Sequence, residues 1–215
     1  MTATSWTTTG FAIALATVTA CATNGPPAAA SKSSATPTST PPPPPIAWPL
    51  PPGWKHETIP FPLDFAPNIH HRGVEEVHFT PGMFKGESEQ KWSYAFVWFL
   101  DGPDRLDAAG LSRDLADYFE GLALSAKEDA FDASKFRAKA TLTDEGAAEA
   151  GHRHVQGTAD IYDTFISHAR VMLNVDADLF TCGEHPVALF TLSPQPRSAD
   201  VWRELAANRA AFRCP

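Results

Sequence analysis

Alternation of apolar and polar positions sorts the chain beyond Trp54 into strands and helices. Phe61, Leu63 and Phe65 alternate with Pro62 and Asp64. Pro60 and Pro62 confine this segment to an edge strand or an extended arm, because proline donates no ladder hydrogen bond. Val77 and Phe79 share one face of a strand at about Val74–Thr80, which Pro81-Gly82 ends. From Trp92 to Leu100 both faces are apolar, with Trp92, Tyr94, Phe96 and Trp98 on one and Ala95, Val97 and Phe99 on the other. A strand apolar on both sides is covered on both sides, so this one is central. After a turn at 101–104, Leu111, Leu115, Tyr118, Phe119 and Leu122 form one stripe of a helix over about Leu106–Ser125.

The second half is strand-rich. A strand at about Lys135–Thr143 turns Phe136, Ala138, Ala140 and Leu142 inward and Arg137, Lys139 and Thr141 outward. In His152–Tyr162 and His168–Leu179, one face is polar in both strands and the other apolar. Pairing Tyr162 with His168 across a loop at Asp163–Ser167 keeps the apolar faces together, whereas a slip of one residue would mix them. That register sets His154 opposite Asp176, His152 opposite Asp178, Gln156 opposite Asn174 and Asp160 opposite Arg170. A turn at Cys182–His185 leads into Pro186–Leu192, apolar on both faces and so central again. Ser198 then stands where an N-cap is needed, for a helix running to about Arg213. The pattern predicts an α+β domain: a mainly antiparallel sheet of about six strands with two main helices packed on it, like an α/β/α sandwich.

Composition separates this domain from what precedes it. Residues 1–48 hold one charged side chain, Lys32, while the remainder carries 16 Lys and Arg against 25 Asp and Glu, a formal −9. So acidic a domain repels phosphate backbones, and no nucleic-acid partner is expected. Residues 22–48 are mostly Ala, Pro, Ser, Thr and Gly and end in the run Pro41–Pro45. Such a tract has nothing to bury and forms a tether, spanning roughly 30 Å as a coil and roughly 80 Å when extended. Between Gly10 and Thr19 the chain is uncharged and apolar or small. That is too short to cross a hydrocarbon core of about 30 Å but is the length of a signal h-region.

The two cysteines of the domain, Cys182 and Cys214, are brought together by the elements between them. The strand from Pro186 climbs roughly 23 Å at 3.3 Å per residue, and the closing helix descends roughly 24 Å at 1.5 Å per residue. An exported chain with cysteines so placed forms a disulfide. The rival is a metal site of Cys182, His185 and Cys214, which an oxidising compartment disfavours.

Other chemistry is sparse. No G-x-S-x-G, phosphate-cradling glycine loop or H-E-x-x-H occurs. His152 and His154, alternate on one strand and facing Asp176 and Asp178, have the geometry to bind one metal; the competing reading is a solvated sheet face of His–Asp pairs. His70-His71 lies in a loop and is a weaker metal candidate. Glu75 and Glu76 point to opposite faces and cannot act on one atom. Trp92, Tyr94 and Trp98 either line a ligand groove or are simply core. No catalytic residue and no cofactor is expected.

Two resemblances complete the reading. Val18-Thr19-Ala20-Cys21 resembles a bacterial lipoprotein signal, which implies removal of residues 1–20, lipidation of Cys21 and a membrane-anchored place in the cell envelope. The two long strands from His152 to Thr181, then Val187-Ala188-Leu189-Phe190-Thr191, a polar spacer, Trp202 and a terminal amphipathic helix are similar to the PsbP-like domain. That resemblance implies a non-catalytic assembly or accessory module that binds a protein partner, and it carries over no site residues. The expected organisation is a signal at 1–20, a lipidated tether at 21–48 and one domain at 49–215. The alternative is a small envelope metal-binding protein or enzyme using the His/Asp face.

Overall fold

In the computed structural model, which describes residues 46–102, 105–126, 136–147 and 152–215, seven strands form one antiparallel sheet. They are β1 (Lys55–Phe61), β2 (Gly73–Phe79), β3 (Tyr94–Leu100), β4 (Lys139–Ala147), β5 (Arg153–Tyr162), β6 (Arg170–Cys182) and β7 (His185–Ser193). The helices are α1 (Ala108–Ser125), between β3 and β4, and α2 (Asp200–Ala210), after β7. The strand order is β1-β2-β3-β7-β6-β5-β4, so β3 and β7, the two strands apolar on both faces, lie inside the sheet. Cys21, the segments before Pro45 and the turn residues Pro103 and Asp104 lie outside the described residues. So does Lys135, where β4 was expected to begin, and so do the last four residues of the expected loop at 144–151.

The sheet has seven strands rather than six because β1 starts earlier than its alternation indicates. Its first residues, Lys55-His56-Glu57-Thr58, are exposed and show no apolar signal. Pro60, opposite Val74, is tolerated because β1 has one free edge. A second difference lies in the β5–β6 hairpin, where Tyr162 pairs with Arg170, two residues beyond the expected partner. His154 therefore faces Asp178, Gln156 faces Asp176 and Asp160 faces Met172. A two-residue slip keeps every side chain on its face, so the wet and apolar faces stand as read. The longer loop has a local cause: the Asp163 carboxylate accepts from the amides of Phe165, Ile166 and Ser167 at 2.8–2.9 Å. Its own amide donates to Ala169 at 2.8 Å, closing the turn.

Each face of β3 feeds a different apolar cluster. Tyr94, Phe96 and Trp98 pack with Phe190 and with Leu111, Leu115, Tyr118 and Phe119 of α1. The rings of Phe96 and Phe190 lie 4.5 Å apart, and those of Phe96 and Tyr118 5.7 Å; such pairs add about 0.5–1.5 kcal/mol each beyond simple burial. Ala95, Val97 and Phe99 join Val187, Leu189 and Val201, Trp202 and Leu205 of α2.

Both helices start where local chemistry allows. Asp107 caps α1 by accepting from the Gly110 amide at 2.7 Å. Ser198 does not cap α2: Ala199 stands at the N-cap with no side-chain bond, and Asp200 places an acid in the first turn instead, where it favours the positive end of the helix dipole. This helix also stops at Ala210, short of Arg213. A last turn follows, its Ala211 and Phe212 amides donating to the Asn208 and Arg209 carbonyls at 3.1 and 3.2 Å, and the Arg213 amide then donates to the Ala47 carbonyl at 2.9 Å. Ile46 to Trp48, at the end of the expected tether, pack on the domain, with Trp48 stacked on His78 at 3.8 Å.

Candidate functional site

Part of one sheet face is left open. Helix α1 lies mainly over β4 and β5, so the same face of β1, β2 and β3 is incompletely roofed. Ile59, Val77, Phe79 and Tyr94 form the floor of a cleft of about 490 Å³, and Tyr118 and Leu122 of α1 form one wall. The segment after β1 closes an end with Pro62, Asp64 and Phe65. It comes this near because Gly121 of α1 has no side chain: a Cβ there would sit 2.0 Å from the Phe65 carbonyl oxygen. The loop after β2 contributes Met83 and Phe84, and the β5–β6 loop contributes Phe165.

Phe84 and Phe165 are 49% and 45% exposed, yet they are not isolated. Their rings meet edge to face at 5.6 Å, Phe84 lies 5.4 Å from Phe79, and Phe165 lies 5.5 Å from Trp92. Large apolar rings held at a cleft mouth in contact with one another form a contiguous patch rather than scattered surface residues. The Phe165 loop is held by Asp163. Burial pushes this carboxyl up, but the hydroxyl and amide of Ser167 and the amide of Phe165 outweigh it and keep it below the usual range.

Beneath the cleft wall lies a buried carboxyl. Glu75 is fully enclosed; the Tyr118 hydroxyl donates to its Oε1 at 2.8 Å and the Trp98 indole to its Oε2 at 3.3 Å. Burial pushes Glu75 up to about 8, the two hydrogen bonds hold it back, and the charge on Glu57 adds to the rise. At pH 7 it is therefore mostly a neutral acid. Burial likewise pushes the Tyr118 and Tyr94 phenols well above their ordinary value, with Glu75 adding to it. Glu76 faces the other way and meets His56 at 2.8 Å and Thr58. Burial raises it, but bonds from His78, Thr58 and His56 prevail and hold it low. The two neighbours do not share a site.

The His/Asp cluster is brought to one face but is already answered by arginines. His154 Nδ1 lies 2.8 Å from Asp178, which Arg209 also reaches at 3.3 Å. Asp176 pairs with Arg197, and His152 stacks on Phe180 at 4.5 Å. Among the described residues no three His, Cys, Asp or Glu side chains converge as a metal set. His71 bonds Asp114 at 3.1 Å while His70 is exposed. Cys182 and Cys214 are joined as a disulfide, with Cα atoms 5.3 Å apart, and His185 turns to the Leu100 carbonyl at 3.0 Å, so the rival Cys–His metal site does not form. Of the aromatic trio, Trp92 and Tyr94 line the cleft and Trp98 is core with no exposed surface.

Sequence reasoning set Glu75 aside as half of an acid pair, read Tyr118 only as part of a helix stripe, and passed over Phe84 and Phe165. The signal for the first was present: Glu75 shares its strand face with Val77 and Phe79, a carboxyl in line with two apolar residues. No protein family, curated protein or solved structure matches this chain.

Proposed function

We propose that this chain is a cell-envelope lipoprotein, anchored through lipid on Cys21, whose exported domain is a non-catalytic binding module. The cleft under Phe84 and Phe165 is its binding site. The observation that carries the reading is the aromatic mouth of a cleft of about 490 Å³, within the range of roughly 300–1,000 Å³ that small-molecule sites occupy. Helices α1 and α2 in separate clusters on the two faces of β3 support an α/β/α sandwich of the PsbP-like kind. The lipobox and the proline-rich tether support the anchor, and the Cys182–Cys214 bond is of the kind that persists in an oxidising compartment.

Titration with Nile red, an uncharged dye that brightens in apolar surroundings, tests the cleft. Phe84→Ser with Phe165→Ser removes two half-exposed rings, and binding is expected to weaken about tenfold with the melting temperature little changed. Undiminished dye binding would take the cleft out of the reading. The anchor is tested separately by mass spectrometry of the mature N-terminus, which is expected to begin at an acylated Cys21. An unmodified Cys21, or a cut elsewhere, would make the N-terminal stretch an ordinary export signal.

A further inference from the structure

We propose that the cleft takes an amphiphilic cation: an apolar chain or ring system against the aromatic wall, with an amine or quaternary ammonium at the rim. The inference rests on the cleft being the binding site and names the chemistry of its ligand. Its ground is the charge pattern. Among the described residues the lining includes two charged side chains, Glu57 and Asp64, both exposed carboxylates, and no Lys, Arg or His. Several acids elsewhere on the domain have an arginine partner: Arg153 meets Asp144, Arg170 meets Asp160, Arg197 meets Asp176 and Arg203 meets Asp200. The Glu57 carboxylate also lies near enough to the buried Glu75 for its charge to add to that acid's rise. A carboxylate or phosphate headgroup would therefore enter against like charge, while an ammonium would supply the cation this cleft lacks.

The wall suits the same ligand. Phe84 and Phe165 hold half-exposed rings at the mouth, and aromatic faces attract ammonium groups, as in the cages that recognise quaternary amines. The ligand is a small amphiphile rather than a folded protein, because a cleft of about 490 Å³ encloses a small molecule, whereas stable protein interfaces are broader.

Competition against bound Nile red on the full chain tests the proposal with three probes of equal chain length: octyltrimethylammonium, octanol and octanoate. The ammonium is expected to displace the dye at about tenfold lower concentration than octanol, with octanoate weakest. Glu57→Gln with Asp64→Asn should bring the ammonium back to the octanol value while octanol itself is unchanged. Glu184→Gln with Asp200→Asn, which removes two exposed acids away from the cleft, should leave the order intact. Octanol matching the ammonium on the native protein would overturn the charge preference and leave the cleft standing. So would an equal loss in both double variants, which would mark general attraction to an acidic protein. If Nile red itself does not bind, the cleft reading falls with the inference.

Discussion

Glu75→Gln is expected to stabilise the domain relative to the native protein by an amount that grows as pH rises from about 5 to about 8. Below the ordinary carboxyl value of 4.5, folded and unfolded chains both hold the proton and Glu75 contributes no pH dependence. Between 4.5 and about 8 the unfolded chain releases it while the buried group keeps it. The unfolded state then binds fewer protons than the native state, and unfolding stability falls with pH. Each pH unit in that window is worth about 1.4 kcal/mol, several kcal/mol across it. Glutamine has the same shape and never ionises. Its amide oxygen can accept from Trp98 and its NH₂ can donate to the Tyr118 hydroxyl oxygen, so both contacts persist with the Tyr118 bond reversed.

Denaturant unfolding of both proteins at several pH values reads the difference directly, and the comparison cancels groups common to both. A difference that stays flat from pH 5 to 8 would show that Glu75 titrates as an ordinary carboxyl. Glu76 supplies a control of opposite sign on the opposite face. Its carboxyl is held low, so its contribution is present above 4.5 and is lost on acidification, and Glu76→Gln should destabilise at neutral pH.

The same pair shows what was legible in the sequence and what was not. Strand periodicity alone places Glu75 and Glu76 on opposite faces, and it made β3 and β7 central because both their faces are apolar. Periodicity also assigned the wet and apolar faces of β5 and β6 correctly while missing their register by two residues, since a slip of two leaves a period-two pattern unchanged. The loop length that sets the register depends on one carboxylate, Asp163, collecting three backbone amides. Edge strand β1 was misread because a solvated edge needs no apolar alternation.

The cleft was less legible still. Its walls come from β1, β2, β3, α1 and three connecting segments far apart in the chain, and nothing local marks Phe84 or Phe165 as neighbours of one another. The sequence singled out the His/Asp face because alternate histidines are visible in one strand. Arg197 and Arg209, which answer its acids, come from the end of the chain and could not be placed there by pattern.

Replacing both disulfide cysteines, Cys182→Ser with Cys214→Ser, is expected to cost roughly 3–4 kcal/mol of stability, the value the chain-entropy model assigns to a loop of this size. The bond joins residues 32 apart and ties the chain's last residues to the end of β6. What it holds is more than the tail. Arg213 donates to Ala47 at 2.9 Å, next to Trp48, whose indole donates to the Asn208 carbonyl at 2.8 Å and whose ring lies on His78. The segment at Ala47 and Trp48 is thus fastened to a tail that is itself fastened by the disulfide. Loss of the bond should therefore act in two stages: the Arg213 amide should lose hydrogen-exchange protection by local opening, while amides of β5 and β6 exchange faster only by the global loss of stability. Using both serines avoids a stray thiol and leaves the packing of Phe212 and Trp48 in place. A variant as stable as the native protein would show that the bond closes a loop already ordered in the unfolded chain. A destabilised variant with Arg213 still protected beyond the rest of the sheet would show that Ala47 and Arg213 hold together without it.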